Sequence, residues 1–313
     1  MLNPDSKIVL FGAAGLLGQN LVVLLKDAGF RNLVAVDKHP ANTRILRELH
    51  PDITVIEADM AEPGAWEDGC AGAAAAVMLQ AQIGGEVEDE FRRNNIVATE
   101  RALEAMKRHA VPYLVHISSS VVNSMARDWY TESKKQQEAI VAAAGIRHCV
   151  LRPTLMFGSF DRKHLGWLSR FMQRVPVFPI PGHGRYMRQP LYARDFCRII
   201  LRCLQDQREG AYNITGRERV DYVDIIREIK RATGAKARIL HIPYWSFWSL
   251  LKAYGTVKPN APFTTKQLRA LVTPDEFELI PWHEIFDVRP TPFAEAVRET
   301  YGPGPYAAVV LEF

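Results

Sequence analysis

The chain is predicted to be an α/β protein: a doubly wound parallel sheet followed by a smaller carboxyl-terminal α/β lobe. Two observations predict it. From residue 7 to about residue 152, short apolar β-prone runs alternate with amphipathic helical stretches. The runs are continuously hydrophobic rather than alternating, as strands buried on both faces must be. After Pro153 the texture changes, and prolines and glycines cluster in "RVPVFPIPGHGRYMRQPLY" at 174–192. The expected division is therefore 1–153 for the sheet domain and 154–313 for a smaller lobe beside the sheet's carboxyl edge, with the two interleaved.

The strands, in order, are read at "KIVLFG" (7–12), "NLVAVD" (32–37), "ITVIEAD" (53–59), "AAAAVML" (73–79), "PYLVHIS" (112–118) and "RHCVLRP" (147–153). Their spacing leaves room for crossover helices. Beyond them the pattern gives a helix from about Asp195 to Gln205, a short strand "AYNIT", a helix "DYVDIIREIKRAT" and the aromatic segment "PYWSFWSLLKAY" at 243–254. That segment carries apolar residues at 244, 247, 248 and 251, a helical stripe. Core packing of the small lobe is the expected reading; an apolar substrate wall or a membrane-surface contact is the alternative.

Composition narrows the function classes. The 313 residues are 48% hydrophobic and 24% charged, ordinary for a globular chain with a sizeable core. The net charge of +4 is interspersed, which gives no nucleic-acid-binding stripe but suits an anionic small ligand. Cys70, Cys149, Cys197 and Cys203 show no CxxC or metal-like grouping, so a reducing, cytoplasmic location and no metal are expected. No export signal opens the sequence and no run of eighteen apolar residues occurs, so a membrane is not an expected partner.

"GAAGLLG" follows the first strand and opens the first helix. Glycine suits a tight turn, the approach of backbone to a pyrophosphate, and close helix–strand packing, and the helix amino terminus then faces the phosphates. Gly12, Gly15 and Gly18, with the intervening Ala14, Leu16 and Leu17, are thus the expected dinucleotide loop of a Rossmann-type domain. Asp37, ending the second strand, can accept both ribose hydroxyls of NAD and would repel a 2′-phosphate. NAD is favoured over NADP, although Lys38 next door could tolerate the latter. Asp59, followed by Met60, is either a turn residue or a group near the adenine. Gln80, Ala81 and Gln82, after the fourth strand, either reach the nicotinamide side or face a loop.

Tyr130 stands one helical turn before Lys134 in "WYTESKKQQEAI". From these residues alone the pair is either a solvated helix face or chemistry. The hydroxyls of Ser118, Ser119 and Ser120 end the fifth strand, where an open parallel sheet places ligand-facing groups.

Taken together, the motifs resemble the extended short-chain dehydrogenase/reductase superfamily, in its NAD-dependent epimerase/dehydratase branch of nucleotide-sugar type. The similarity covers nearly the whole chain: "GAAGLLG", the aspartate ending the third strand, "NNIVATERALEAM" (94–106), "VHISSS" (115–120), "YTESKKQQE" (130–138), "LRPTLMFG" (151–158) and "RQPLYARDF" (188–196). By this resemblance Tyr130 is the acid/base and Lys134 supports it and holds the nicotinamide ribose. Ser120 polarises the substrate oxygen with Ser119 second, Asn95 braces the strand carrying the serines, and Pro153 lies at the cofactor. Arg188 stands where nucleotide-sugar enzymes contact the diphosphate, unless it pairs with Asp195 or another carboxylate and fastens the small lobe. Two departures stand out. The connection 121–129 is short and lacks the acid/base pair of dehydratases, so redox or epimerisation is favoured over dehydration.

The function so implied is an NAD-dependent oxidoreductase or epimerase acting on a carbinol or ketone of a nucleotide sugar, assembled as a homodimer through helices around 86–109 and 127–144. The alternatives are the same chemistry on a lipid-like alcohol or ketone, such as a sterol or isoprenoid, and a non-catalytic nucleotide-binding subunit.

Overall fold

A computed structural model describes residues 2–125, 127–257, 265–273 and 277–312. Six short apolar runs form six parallel strands: β1 (Ile8–Phe11), β2 (Leu33–Asp37), β3 (Thr54–Glu57), β4 (Ala75–Met78), β5 (Tyr113–Ile117) and β6 (Arg147–Pro153). Strands β1, β4 and β5 are buried along their whole length, which explains their unbroken hydrophobicity.

Helices cover both faces. On one side lie α1 (Leu16–Asp27), α2 (Pro40–Leu49) and α7 (Ala193–Asp206). Their apolar stripes meet Ile8, Leu10, Val77, Val115 and Leu151 in one core. On the other lies a continuous helical run made of α3 (Glu88–Phe91), a π-wound turn (Arg92–Val97) and α4 (Ala98–Arg108), beside α5 (Trp129–Ala143). Leu103, Met106 and Val141 from this side pack on Val9, Phe11, Ala76 and Met78 in a second core. Odd and even residues of one strand thus feed opposite cores.

The small lobe contributes β7 (Met156–Phe157), α6 (His164–Arg174), β8 (Val177–Pro181), β9 (Met187–Arg188), β10 (Leu191–Tyr192), β11 (Gly210–Ile214), β12 (Val220–Asp221), α8 (Tyr222–Thr233), β13 (Arg238–Ile242), α9 (Tyr244–Val257), α10 (Thr265–Val272), α11 (Trp282–Ile285) and α12 (Phe293–Tyr301). Its own core gathers Phe157, Met172, Phe178, Ile180, Ile226, Ile229 and Val297. The "AYNIT" strand, however, leaves this lobe. As β11 it pairs in parallel with β6 and completes a seven-stranded sheet of order β11-β6-β5-β4-β1-β2-β3. Farther along, Trp282, Phe286 and Val288 also return to the first core.

The expected packing of the aromatic segment is corrected here. The helical stripe is real, since α9 forms, but its residues 244, 247, 248 and 251 are half-buried rather than in the core, and Trp245 off the stripe is 73% exposed. Periodicity specifies a helix; it does not specify a cover.

Candidate active site

Strand order reverses between β1 and β4, and in an open parallel sheet the crevice at such a switch point lies at the carboxyl ends of the strands. The two loops leaving these strands touch. Gly12 has a positive φ of 78°, and a Cβ there would stand 2.5 Å from the Gln80 backbone nitrogen. Gly18 is equally constrained, since its Cβ would meet the Ala13 carbonyl oxygen at 2.3 Å. Gly15 differs: its φ of −78° is ordinary, and a Cβ would find only the Gly12 oxygen at 3.9 Å. The fold therefore needs glycine at 12 and 18, while the space over Gly15, at the uncapped amino end of α1, is open for a phosphate to approach.

Asp37 ties this loop to β2. Its carboxylate accepts from the Ala14 amide at 2.9 Å and from the His39 amide at 3.0 Å. A carboxylate has about four acceptor positions, so two remain for ribose hydroxyls. Leu17 packs into the first core, Met60 is buried in the second and Ala81 is exposed. Lys38 donates to the Asn94 side chain at 2.6 Å and lies 3.8 Å from Asp59. Asp59 also accepts from the Ala61 amide and from Arg93, each at 3.0 Å. Burial opposes its ionisation, but the Ala61 amide, Arg93 and Lys38 outweigh burial and hold its carboxyl below the usual range. These groups fit an adenosine diphosphate laid across the carboxyl ends of β1 to β3.

On the far side of the switch point, Asp128 caps α5 by accepting from the Thr131 amide at 2.8 Å, which sets Tyr130 in the first turn. The Ser119 hydroxyl is the side chain that favours the Tyr130 phenolate. Ser120, the first choice by resemblance, instead opens a 3₁₀ turn (Ser120–Asn123), while the Ser119 side chain also caps that turn. Of the serines, Ser119 is the one whose hydroxyl acts on the phenol. Burial pushes the Tyr130 hydroxyl above its ordinary range; Ser119 partly offsets this and Asp128 adds to it.

Lys134 is fully buried. Its ammonium donates to the Ile117 carbonyl at 3.0 Å and to Gln137 Oε1 at 2.5 Å. Burial pushes it down to about 7, with Glu138 opposing. Gln137 is a site residue the sequence reading missed. Its amide donates to Thr99 Oγ1 at 2.7 Å, and Thr99 donates to the Asn95 carbonyl at 2.6 Å, which fixes the amide with its oxygen toward the lysine. The signal was present as the i,i+3 spacing of Lys134 and Gln137 on one helix.

Asn95 lies in the π-wound turn and is wholly buried. It was expected to brace the serine-bearing strand. Instead it accepts from the Gln82 amide at 2.7 Å, and donates to the Gln82 carbonyl at 3.1 Å and to Ser133 Oγ at 2.8 Å. It clamps the loop after β4 to α5, because those two elements flank its helix. Gln82's own side chain is taken up by Asn94 and the Gly84 carbonyl. Gln80 points its amide at Thr99, 3.4 Å away, and leaves Oε1 buried without a partner. Pro153 is buried where β6 ends. Near it, Arg152 grips Glu138 through two bonds of 2.9 and 2.6 Å. This pairs two of the quoted motifs and pins α5 to β6, worth on the order of 1.5–3 kcal/mol for bonds to a charged group.

Arg188 lies apart from these groups in its contacts. Its guanidinium donates to the carbonyls of Met187 and Thr273, at 2.9 and 2.7 Å, and to that of Leu271. Asp195 is not its partner, being bound by Arg198 and Thr291. Gln189 beside it accepts from the Phe277 amide at 2.7 Å. Both residues hold the segment after α10, Arg188 with main-chain carbonyls among its partners. A separate cavity of about 500 Å³, lined by Asp161, Arg170, Arg231 and Tyr301 among others, contains none of the expected site residues.

Several known proteins are similar. Ceramide reductase of Caulobacter vibrioides is 26% identical over 246 residues, covering 75% of this chain and 73% of its own. A 3 beta-hydroxysteroid dehydrogenase/Delta 5→4-isomerase of Mycobacterium tuberculosis is 28% identical over 268 residues, covering 74% and 70%. The dTDP-glucose 4,6-dehydratase of Streptomyces niveus is 25% identical over 274 residues, covering 76% and 81%. Among solved structures, UDP-glucuronic acid 4-epimerase from Bacillus cereus in complex with NAD shares the fold, with a TM-score of 0.69 and 20% identity over 94% of this chain and 95% of that one. The family model matches residues 8–215, two thirds of the chain, and the protein is a member of the NAD dependent epimerase/dehydratase family.

Proposed function

We propose that this NAD-dependent enzyme interconverts a secondary alcohol and a ketone, with Tyr130 moving the hydroxyl proton. The observation that carries the reading is the Tyr130 phenol, largely buried, acted on by the Ser119 hydroxyl and one helical turn from a buried lysine. The bound nicotinamide supplies or accepts the hydride. A phenol raised by burial keeps its proton at neutral pH, so it is ready to donate to a carbonyl oxygen as hydride reaches the carbon. The same phenol takes the proton back when the alcohol is oxidised, so it serves both directions. Ser119 would share the substrate oxygen as a second donor, and Lys134 would hold the nicotinamide ribose. The lobe from residue 154 onward would carry the substrate, and the helices over 88–108 and Trp129–Ala143 would join two copies in a dimer.

A lipid-like ketone is the favoured substrate class. Arg188, the basis for expecting a diphosphate, spends its donors on main-chain carbonyls. Two of the relatives carry a ceramide and a steroid in their names. A nucleotide sugar is the second reading, supported by the dTDP-glucose 4,6-dehydratase relative. The test is oxidation of NADH by the purified enzyme with long-chain and sterol ketones on one side and keto forms of UDP- and dTDP-sugars on the other. Turnover with an apolar ketone that falls by at least ~10²-fold in Tyr130→Phe is expected. Turnover with nucleotide sugars alone, weakened by Arg188→Ala, would install the second reading. Tight NAD binding with neither activity would leave the non-catalytic reading.

A further inference from the structure

Five exposed large apolar side chains lie on two consecutive elements of the small lobe and on the strand paired with the first. Strands β8 and β13 pair in parallel with Val177 opposite Arg238 and Pro179 opposite Leu240. Phe178 and Ile180 point inward to the lobe's core, whereas Val177 and Leu240 are 41% and 52% exposed. One residue after β13, α9 begins, with Trp245, Leu250 and Tyr254 exposed. An apolar helix with no buried residue among 244–256 is unfavourable in water unless something covers it.

Charge identifies the cover. These elements belong to two sequence stretches, 162–194 and 229–274, that hold seven and eight Lys or Arg residues and not one of the chain's 35 Asp and Glu; Arg188 and Arg194 are engaged within the protein, whereas Arg174, Arg185, Lys236, Arg238 and Lys252 are exposed. The rest of the chain is correspondingly acidic. Within α9, Lys252 Nζ lies 5.0 Å from the Trp248 ring centre, an ammonium held beside an indole. A second copy docking face to face would set two cationic surfaces together, which like-charge repulsion opposes. Among the described residues no helix is long and apolar enough to cross a membrane, so the surface would lie on a bilayer rather than enter it as a span. We infer that β8, β13 and α9 form a docking surface for an anionic phospholipid bilayer, with Trp245 and Leu250 entering the headgroup boundary and the exposed Lys236, Arg238 and Lys252 pairing with lipid phosphates. This departs from the expectation, drawn from the sequence, that a membrane is not a partner. It goes beyond the proposed reaction and is read without turnover, so each can fail separately.

The experiment is co-sedimentation of the full chain with phosphatidylcholine vesicles containing about one third phosphatidylglycerol, and with pure phosphatidylcholine vesicles. Binding to the anionic vesicles, at least ~10-fold weaker to the neutral ones and reduced in high salt, is expected. Trp245→Ser/Leu250→Ser should lower the partition at least ~10-fold while thermal stability and NAD affinity stay unchanged, because both side chains are exposed in the free protein. A blue shift of tryptophan emission on adding anionic vesicles should shrink in Trp245→Phe. Binding that ignores the double substitution, or none to anionic vesicles at low salt, overturns the inference. So does a change from dimer to monomer in the double variant, which would make the face a contact between copies.

Discussion

Tyr130 sits where burial and Asp128 both disfavour its phenolate, while Ser119 favours it. Tyr130→Phe should therefore remove a proton donor without disturbing the cofactor cradle. Turnover should fall by at least ~10²-fold while NAD affinity, read by protein fluorescence, changes little. Lys134 makes a different prediction, about pH. Its folded value of about 7 lies below the ordinary 10.5, so the cost of burying its charge is fully present below pH 7 and gone above pH 10.5. Between those limits the unfolded chain holds a proton the folded chain lacks, and stability rises with pH by up to about 1.4 kcal/mol per unit. Urea unfolding at pH 7, 8 and 9 should show wild type gaining on Lys134→Met as pH rises; a constant difference would mean the lysine stays charged inside. The pair itself was legible in the sequence, because helical spacing fixes which residues share a face. The choice between Ser119 and Ser120 was not, since it depends on how the chain turns after β5. Gln137 was also missed: its i,i+3 spacing put it beside Lys134, but that spacing does not say which way the amide turns, which Thr99 on another helix fixes.

At the scale of elements, the glycine loop separates two jobs that one motif combines. Gly15→Val should fold with near-normal thermal stability, since the φ there is ordinary and the space is open, yet lose NAD binding because the side chain occupies the phosphate approach. Gly18→Val should instead destabilise the fold, forcing α1 away from the Ala13 carbonyl. Calorimetry with and without NAD distinguishes them; equal loss of stability in both would refute the division. β1, β4 and β5 were readable because unbroken apolar runs mean burial on both faces, whereas β3, at the sheet edge, was read from its β-branched run although none of its residues is buried. The aromatic stripe of α9 was legible as one face of a helix, and residues 244, 247, 248 and 251 are half-buried there, but the stripe carries no mark of the exposed face with Trp245 and Leu250.

For the molecule as a whole, β11 and Trp282 bind the two halves of the chain into one body. Trp282 is 1% exposed, packs in the first core and donates its indole N–H to the Thr215 carbonyl at 2.9 Å. Trp282→Ala should cost about 3–5 kcal/mol and lower a single calorimetric transition, rather than melting the small lobe alone. "AYNIT" was legible as a strand, but its neighbour was not, since one sequence contains no record of pairing. This late return of the chain also matters during synthesis. When residue 153 has left the ribosome, β6 is an unpaired sheet edge, and it stays so until residues 210–214 follow. At bacterial-to-eukaryotic elongation rates that wait lasts roughly 3–12 s, far longer than a hairpin takes to form, and an open apolar edge over that interval is what chaperones capture. The nascent chain should thus depend on such help most steeply between about residues 153 and 214, and a ribosome stalled in that window should yield the most aggregation-prone fragment.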